Sequence, residues 1–144
     1  MGKFHEEKIE LMKKYLPAIN TGYGNYIGDS VPSKKLNNAI QKFASGLDRE
    51  SVIGFYDITI TGSGKYGFIF TDDKLYCRDA FEKPQKFWYE DIDHVELDQT
   101  HKKECDQELT VFLRDGSTVS FKSGFLNKPP LKRFLDKMKD FDKE

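Results

Sequence analysis

His94, His101 and Cys105 are the metal-ligand types that lie nearest one another in this sequence, and Glu90, Asp91, Asp93, Glu96 and Asp98 crowd the same stretch with carboxylates. Such residues serve zinc sites, nucleophilic pairs or general acid–base catalysis. The spacing argues against each use. Only His101 and Cys105 are close neighbours, inside the polar run Gln99-Thr100-His101-Lys102-Lys103-Glu104, which reads as solvated loop and is too sparse for a preformed zinc site. A Cys–His nucleophile needs an orienting partner and a cleft, and no pattern here supplies them. The carboxylates alternate with apolar residues, which puts Glu96 and Asp98 on the outward face of a strand and Val95 and Leu97 inward. The expectation is no catalytic set, no metal and no cofactor, hence no enzyme.

A second candidate is Gly62-Ser63-Gly64-Lys65, where exposed backbone amides followed by a lysine are able to cradle an anion. The nucleotide-binding loop requires a glycine where this chain has Thr59 and a hydroxyl residue where it has Tyr66. A loop between two strands also lacks the helix amino terminus that phosphate sites use. The segment reads as a hairpin turn. An anionic headgroup held by Gly64, Lys65, Lys74 and Arg78 stays open as the alternative.

The elements that would position these residues follow from periodicity. Ile9, Met12, Leu16 and Ile19 mark one face of a first helix, expected to run regularly from about Phe4 to Leu16 because Pro17 clashes with the turn before it. Thr21 to Asp29 contains three glycines and reads as a linker. Leu36, Ala39, Ile40, Phe43 and Ala44 make a helical stripe over 33–45, opened by Pro32-Ser33 and closed by Gly46. From Val52 the pattern becomes extended: Val52–Thr61, Tyr66–Thr71, Lys74–Arg78, Lys86–Tyr89, His94–Asp98, Glu108–Arg114 and Thr118–Lys122, with turns at Gly62–Gly64, Asp72-Asp73 and Asp115-Gly116. That is about seven strands between 52 and 122. Leu131, Phe134, Leu135, Met138 and Phe141 then form the apolar face of a last helix over 129–142. Trp88, the single tryptophan, lies between Phe87 and Tyr89 and is expected in the core, with a contact surface as the other reading.

Composition narrows the function classes. The 144 residues suit one main core, here assigned to 32–144 with residues 1–31 as a helix and linker in front of it. No apolar run reaches the roughly 20 residues of a membrane helix and no apolar signal core opens the chain, so the expected location is cytoplasmic, with Cys77 and Cys105 as reduced thiols. The net charge of −1 is unevenly spread. Residues 1–45 hold 7 Lys/Arg against 4 Asp/Glu, a net +3; 46–124 hold 10 against 16, a net −6; 125–144 hold 6 against 4, a net +2. An acidic β region is a poor platform for a phosphate backbone, so nucleic acid is not an expected partner.

The order of elements, with Lys35-Leu36-Asn37-Asn38-Ala39-Ile40, Phe55-Tyr56-Asp57-Ile58-Thr59, Gly62 to Thr71 and Tyr89-Glu90-Asp91-Ile92, resembles uncharacterised bacterial pleckstrin-homology-like (PH-like) proteins over roughly Pro32 to Phe141. The resemblance implies an α+β, mainly β fold: a seven-stranded antiparallel barrel capped by the C-terminal helix. It implies little about activity, because that superfold hosts lipid, peptide and protein recognition. Its phosphoinositide-binding members resemble one another in a basic cluster across the first two strands. Here Lys65 is followed by the apolar run Tyr66 to Phe70, and the next basic residues are Lys74 and Arg78.

The functional expectation is a non-enzymatic interaction module for a protein partner, with Ile9, Met12, Leu16 and Trp88 as candidate contacts. The alternative is a peripheral membrane or anionic-ligand binder using the first hairpin loop. Self-association through edge strands or the first helix is a further expectation.

Overall fold

The structure, a computed structural model, describes residues 5–19, 25–27, 31–58, 66–78, 83–122 and 126–141. It is α+β. In chain order the elements are α1 (His5–Ile19), β1 (Asn25–Ile27), α2 (Ser33–Phe43), β2 (Gly54–Asp57), β3 (Gly67–Phe70), β4 (Lys74–Arg78), β5 (Gln85–Trp88), β6 (Ile92–Asp98), β7 (Glu108–Leu113), β8 (Thr118–Phe121) and α3 (Lys128–Phe141). The strands form two antiparallel sheets, one ordered β1-β2-β3-β4-β5 and one ordered β6-β7-β8. Among the described residues no strand of one sheet pairs with a strand of the other, so the expected closed barrel is replaced by two sheets. The chain leaves β5 through a short 3-10 turn, Tyr89–Asp91, and enters β6 without continuing the ladder.

Register sorts the five-stranded sheet into two faces. Gly54, Phe70, Leu75 and Phe87 lie in one cross-strand row and Phe55, Ile69, Tyr76 and Lys86 in another. The inner face, with Tyr56, Phe68, Phe70, Leu75 and Phe87, faces the main core. The outer residues Phe55, Ile69 and Tyr76 form a second cluster with Leu36, Ala39 and Phe43 of α2. The α2 stripe is thus buried on the outer face of the sheet, as an amphipathic helix requires.

The main core lies between the sheets and under α1 and α3. Phe134 of α3 packs edge-on against Phe70 at 5.7 Å and Tyr89 at 6.0 Å between ring centroids, while Phe68 reaches Phe121 across the core at 5.7 Å. Burial holds the Tyr89 hydroxyl in its protonated form, well above its ordinary pKa, and it donates to the Thr71 carbonyl at 3.3 Å.

Two expectations fail for reasons of packing. α1 runs past Pro17 to Ile19, because Leu16 and Ile19 are buried and Asn127 satisfies two of the helix's last carbonyls. The Asn127 backbone N–H donates to Ile19 at 2.9 Å and its side-chain amide to Ala18 at 3.0 Å, groups that a helix end otherwise leaves open. The second failure is the linker, which contains β1. Asn25–Ile27 has no strand pattern of its own and is held by its ladder to Gly54–Tyr56. The Gly62–Gly64 turn lies outside the described residues.

Candidate functional site

The sequence-predicted contact residues separate into different environments. Met12 and Leu16 are buried in the core and Ile9 is half-buried against it, so α1 spends its apolar face on the body of the protein. Trp88 does not join the core: it is 39% exposed, and it is the large apolar side chain left exposed among the described residues. The strand alternation does place Trp88 opposite in sense to buried Phe87. It is the outer face, beyond the reach of α2, that receives Trp88.

The surroundings of Trp88 are built by register. β4 and β5 pair Lys74 with Trp88 and Tyr76 with Lys86, so these four side chains share the outer face. The Lys74 ammonium sits 4.0 Å from the centroid of the Trp88 ring, a cation–π contact that orients the indole along the rim of the sheet. Across the sheet the row Phe55–Ile69–Tyr76 is covered by α2, and its last member, Lys86, is exposed. α2 therefore stops short of β5. A groove of about 290 Å³ opens there, lined by Lys42, Phe43 and Ser45 at the end of α2, Tyr76 of β4, and Pro84 and Lys86 at β5.

β5 is the last strand of its sheet, so among the described residues one side of its backbone is unpaired within that sheet. Pro84 stands at its start, a position suited to an edge strand because a central strand would need the missing N–H. Lys83 and Lys86 are exposed at this edge, with exposed Lys42 of α2 beside them, and Lys74 is half-buried beneath Trp88, which gathers positive charge beside the acid-rich part of the chain.

Of the anion-site candidates, Lys74 and Arg78 lie within the described residues, at opposite ends of β4. Arg78 lies over the Tyr66 ring, 4.8 Å from its centroid, while Lys74 is engaged at Trp88. Four residues of strand separate the two, about 13 Å. Gly64 and Lys65 lie outside the described residues.

The acidic stretch is a surface of β6 and β7. His94 lies between Asp93, at 2.6 Å, and Glu96, at 3.1 Å, and stacks on Phe112 with ring centroids 4.4 Å apart. The hydrogen bond that the ring donates to Asp93, then that to Glu96, raises its pKa above the usual histidine value. Asp98 and Asp115 are lowered because they accept turn hydrogen bonds, Asp98 from the Thr100 N–H at 3.0 Å and Asp115 from the Ser117 hydroxyl at 2.5 Å and then the Ser117 N–H at 2.9 Å. These carboxylates cap loops. His101 is exposed, and its carbonyl accepts from the Gln107 amide at 3.0 Å. Cys105 precedes β7 and Cys77 is buried in the core, and neither is in a disulfide. Among the described residues no group of three or more His, Cys, Asp or Glu side chains is arranged to hold a metal ion, and no helix is long and apolar enough to cross a membrane.

Sequence reading missed the groove. Its walls come from α2 and β5, more than forty positions apart, with no local signature. The available signal was Pro84-Gln85-Lys86-Phe87-Trp88: a proline, then a lysine and the tryptophan two apart on one face, which describes a wet edge strand.

No family model matches the chain and no curated protein matches it. Among solved structures it is similar to a DUF1696 family protein with a pleckstrin-homology domain from Shewanella loihica PV-4, at 13% identity and a TM-score of 0.47, over 82% of this chain and 99% of that one.

Proposed function

We propose that this chain is a non-enzymatic interaction module of the PH-like kind, and that it recognises a protein partner at the β5 rim. The observation that carries the reading is Trp88, exposed on an edge strand while the aromatic residues on either side of it are buried. An indole left in water costs solubility and adds nothing to the core. Tryptophan is also, with tyrosine and arginine, enriched among the side chains that dominate binding energy at interfaces. The groove beside it and the unpaired strand edge supply shape and hydrogen bonds to the same surface. The antiparallel sheets closed by a C-terminal helix are the supporting architecture.

The test is affinity enrichment from the source cells with wild-type protein beside Trp88→Ala. Because Trp88 is exposed, the substitution should leave the unfolding midpoint nearly unchanged. Retention of the specific partner should fall by about tenfold or more, the effect of losing a central interface aromatic. Equal retention by both proteins sinks the reading.

A further inference from the structure

We infer that the β5 edge binds an extended, acidic segment of its partner as an added strand, with a carboxylate at Lys86 and an aromatic or large aliphatic side chain at Trp88. This deepens the recognition reading given above and rests on it. Three features at one place carry it. Among the described residues β5 ends its sheet, so its outward backbone groups are a template for another strand. On its outer face the side chains that a new strand would meet are Lys86 and Trp88, two residues apart. Beside them lies the 290 Å³ groove, whose walls include Lys86 and Lys42.

The geometry sets the ligand's pattern. Alternate residues of an added strand fall on one face, so the side chains reaching Lys86 and Trp88 are separated by one residue. A carboxylate opposite Lys86 sits at the mouth of the groove, and the next residue on that face covers the indole that Lys74 already orients. The C-terminal end of α2 brings partial negative charge to this groove, and Lys42, in its last turn, offsets that charge. Lys86, Lys83 and Lys74 are then the groups that select an acidic segment, while the ladder bonds read only backbone. The ligand class is a peptide with Glu or Asp two positions from Phe, Leu or Ile and free of proline at the residues that face β5.

The experiment uses the full chain and short labelled synthetic peptides with Glu-Xaa-Phe or Lys-Xaa-Phe at the centre, read by fluorescence anisotropy. Emission of Trp88, the only tryptophan, reports the place of binding. The Glu peptide should bind saturably and shift the Trp88 emission, and the Lys peptide should bind at least about tenfold more weakly. Lys86→Glu should reverse that preference. N-methylation of the peptide at the residues that face β5, which leaves the protein untouched, should abolish binding. If the Glu peptide binds and Trp88→Ala removes it, but neither Lys86→Glu nor N-methylation matters, the rim is a recognition surface and the acidic-strand mode is wrong. If neither peptide binds while the Trp88-dependent partner is retained, the mode is likewise overturned. A Trp88 shift with phosphatidylserine vesicles and none with peptides assigns the rim to membranes, and both readings fall.

Discussion

The five-stranded sheet is covered on both faces and the three-stranded sheet on one, and the same rules of strand burial give the two very different sequences. Gly54–Asp57 and Gly67–Phe70 are buried at every position, with α2 on one side and the main core on the other. In β7 the buried Leu109 and Val111 alternate with Thr110 and Phe112, which face outward beside Glu96 and His94. A sheet with two dry faces reads as a continuous apolar run, and one with a single dry face alternates. The exception lies inside the covered sheet. Its last strand, β5, has lost its outer cover and buries Phe87 between exposed Lys86 and Trp88, and that is where the exposed tryptophan stands.

The contrast disappears entirely if α1, which packs on α3 and the main core, is taken away. A chain starting at Pro32 loses Met12, Tyr15, Leu16 and Ile19 from the main core, together with the β1 ladder. Four buried side chains of this size, at roughly 2–5 kcal/mol each, amount to about 8–20 kcal/mol, comparable to or above the roughly 5–15 kcal/mol that separates a folded domain from its unfolded ensemble. The truncated protein should show no cooperative thermal transition. A sharp transition near that of the full chain would show that α1 is an appendage.

Next in size is a test of the cover itself. Ile69 lies at the centre of the outer face, fully buried under α2, whereas Thr118 is exposed on β8. Ile69→Ala should cost about 2–5 kcal/mol in denaturant unfolding, and Thr118→Ala should stay within about 0.5 kcal/mol. Comparable losses at the two positions would mean that α2 does not seal the sheet.

The two sheets also differ in what their glycines do. An added methyl group at Gly67 meets the Tyr56 carbonyl oxygen at 2.2 Å, a contact with the backbone of the neighbouring strand that no side-chain rotation relieves. Gly116, in the β7–β8 hairpin, has a φ of +91° and open space around it. Gly116→Ala should therefore cost only the left-handed penalty of about 1–2 kcal/mol, and Gly67→Ala more, about 3 kcal/mol, because β2 and β3 must part. The reverse order in thermal melts would contradict the described register.

The same contrast explains what was legible in the sequence. Alternation of Val95 with Glu96 and the Asp115-Gly116 turn place β6, β7 and β8 to within a residue or two, because one wet face writes its period into the chain. Helices α2 and α3 were equally plain from their apolar stripes. What stayed hidden depended on partners distant in sequence. β1 is a strand only because β2 is beside it, and Asn127 lets α1 pass Pro17 from 109 positions away. Trp88 could be placed on a face by parity, but whether that face was dry depended on how far α2 extends. The separation of the strands into two sheets likewise turns on the short Tyr89–Asp91 turn, where the apolar pattern shows no break.

The smallest expected effect belongs to the wet face. His94 is exposed, with Asp93 and Glu96 on its two ring nitrogens and Phe112 stacked beneath it. These carboxylates favour the imidazolium, so the folded pKa lies above the ordinary 6.5. A raised pKa contributes stability that is fully present below the unfolded value and is lost as pH rises through the folded one. Stability should thus decline slightly from about pH 6.5 upward, with water and salt screening the pair at this exposed site. The decisive readout is the NMR titration of the His94 ring. Asp93→Asn should lower its midpoint most and Glu96→Gln less, the order of the two hydrogen bonds, while the folded core signals stay in place. An unmoved midpoint in Asp93→Asn would mean that the acidic face of β6 acts on His94 only as a diffuse field, and the contrast between a structured rim at β5 and a merely solvated surface at β6 would become sharper.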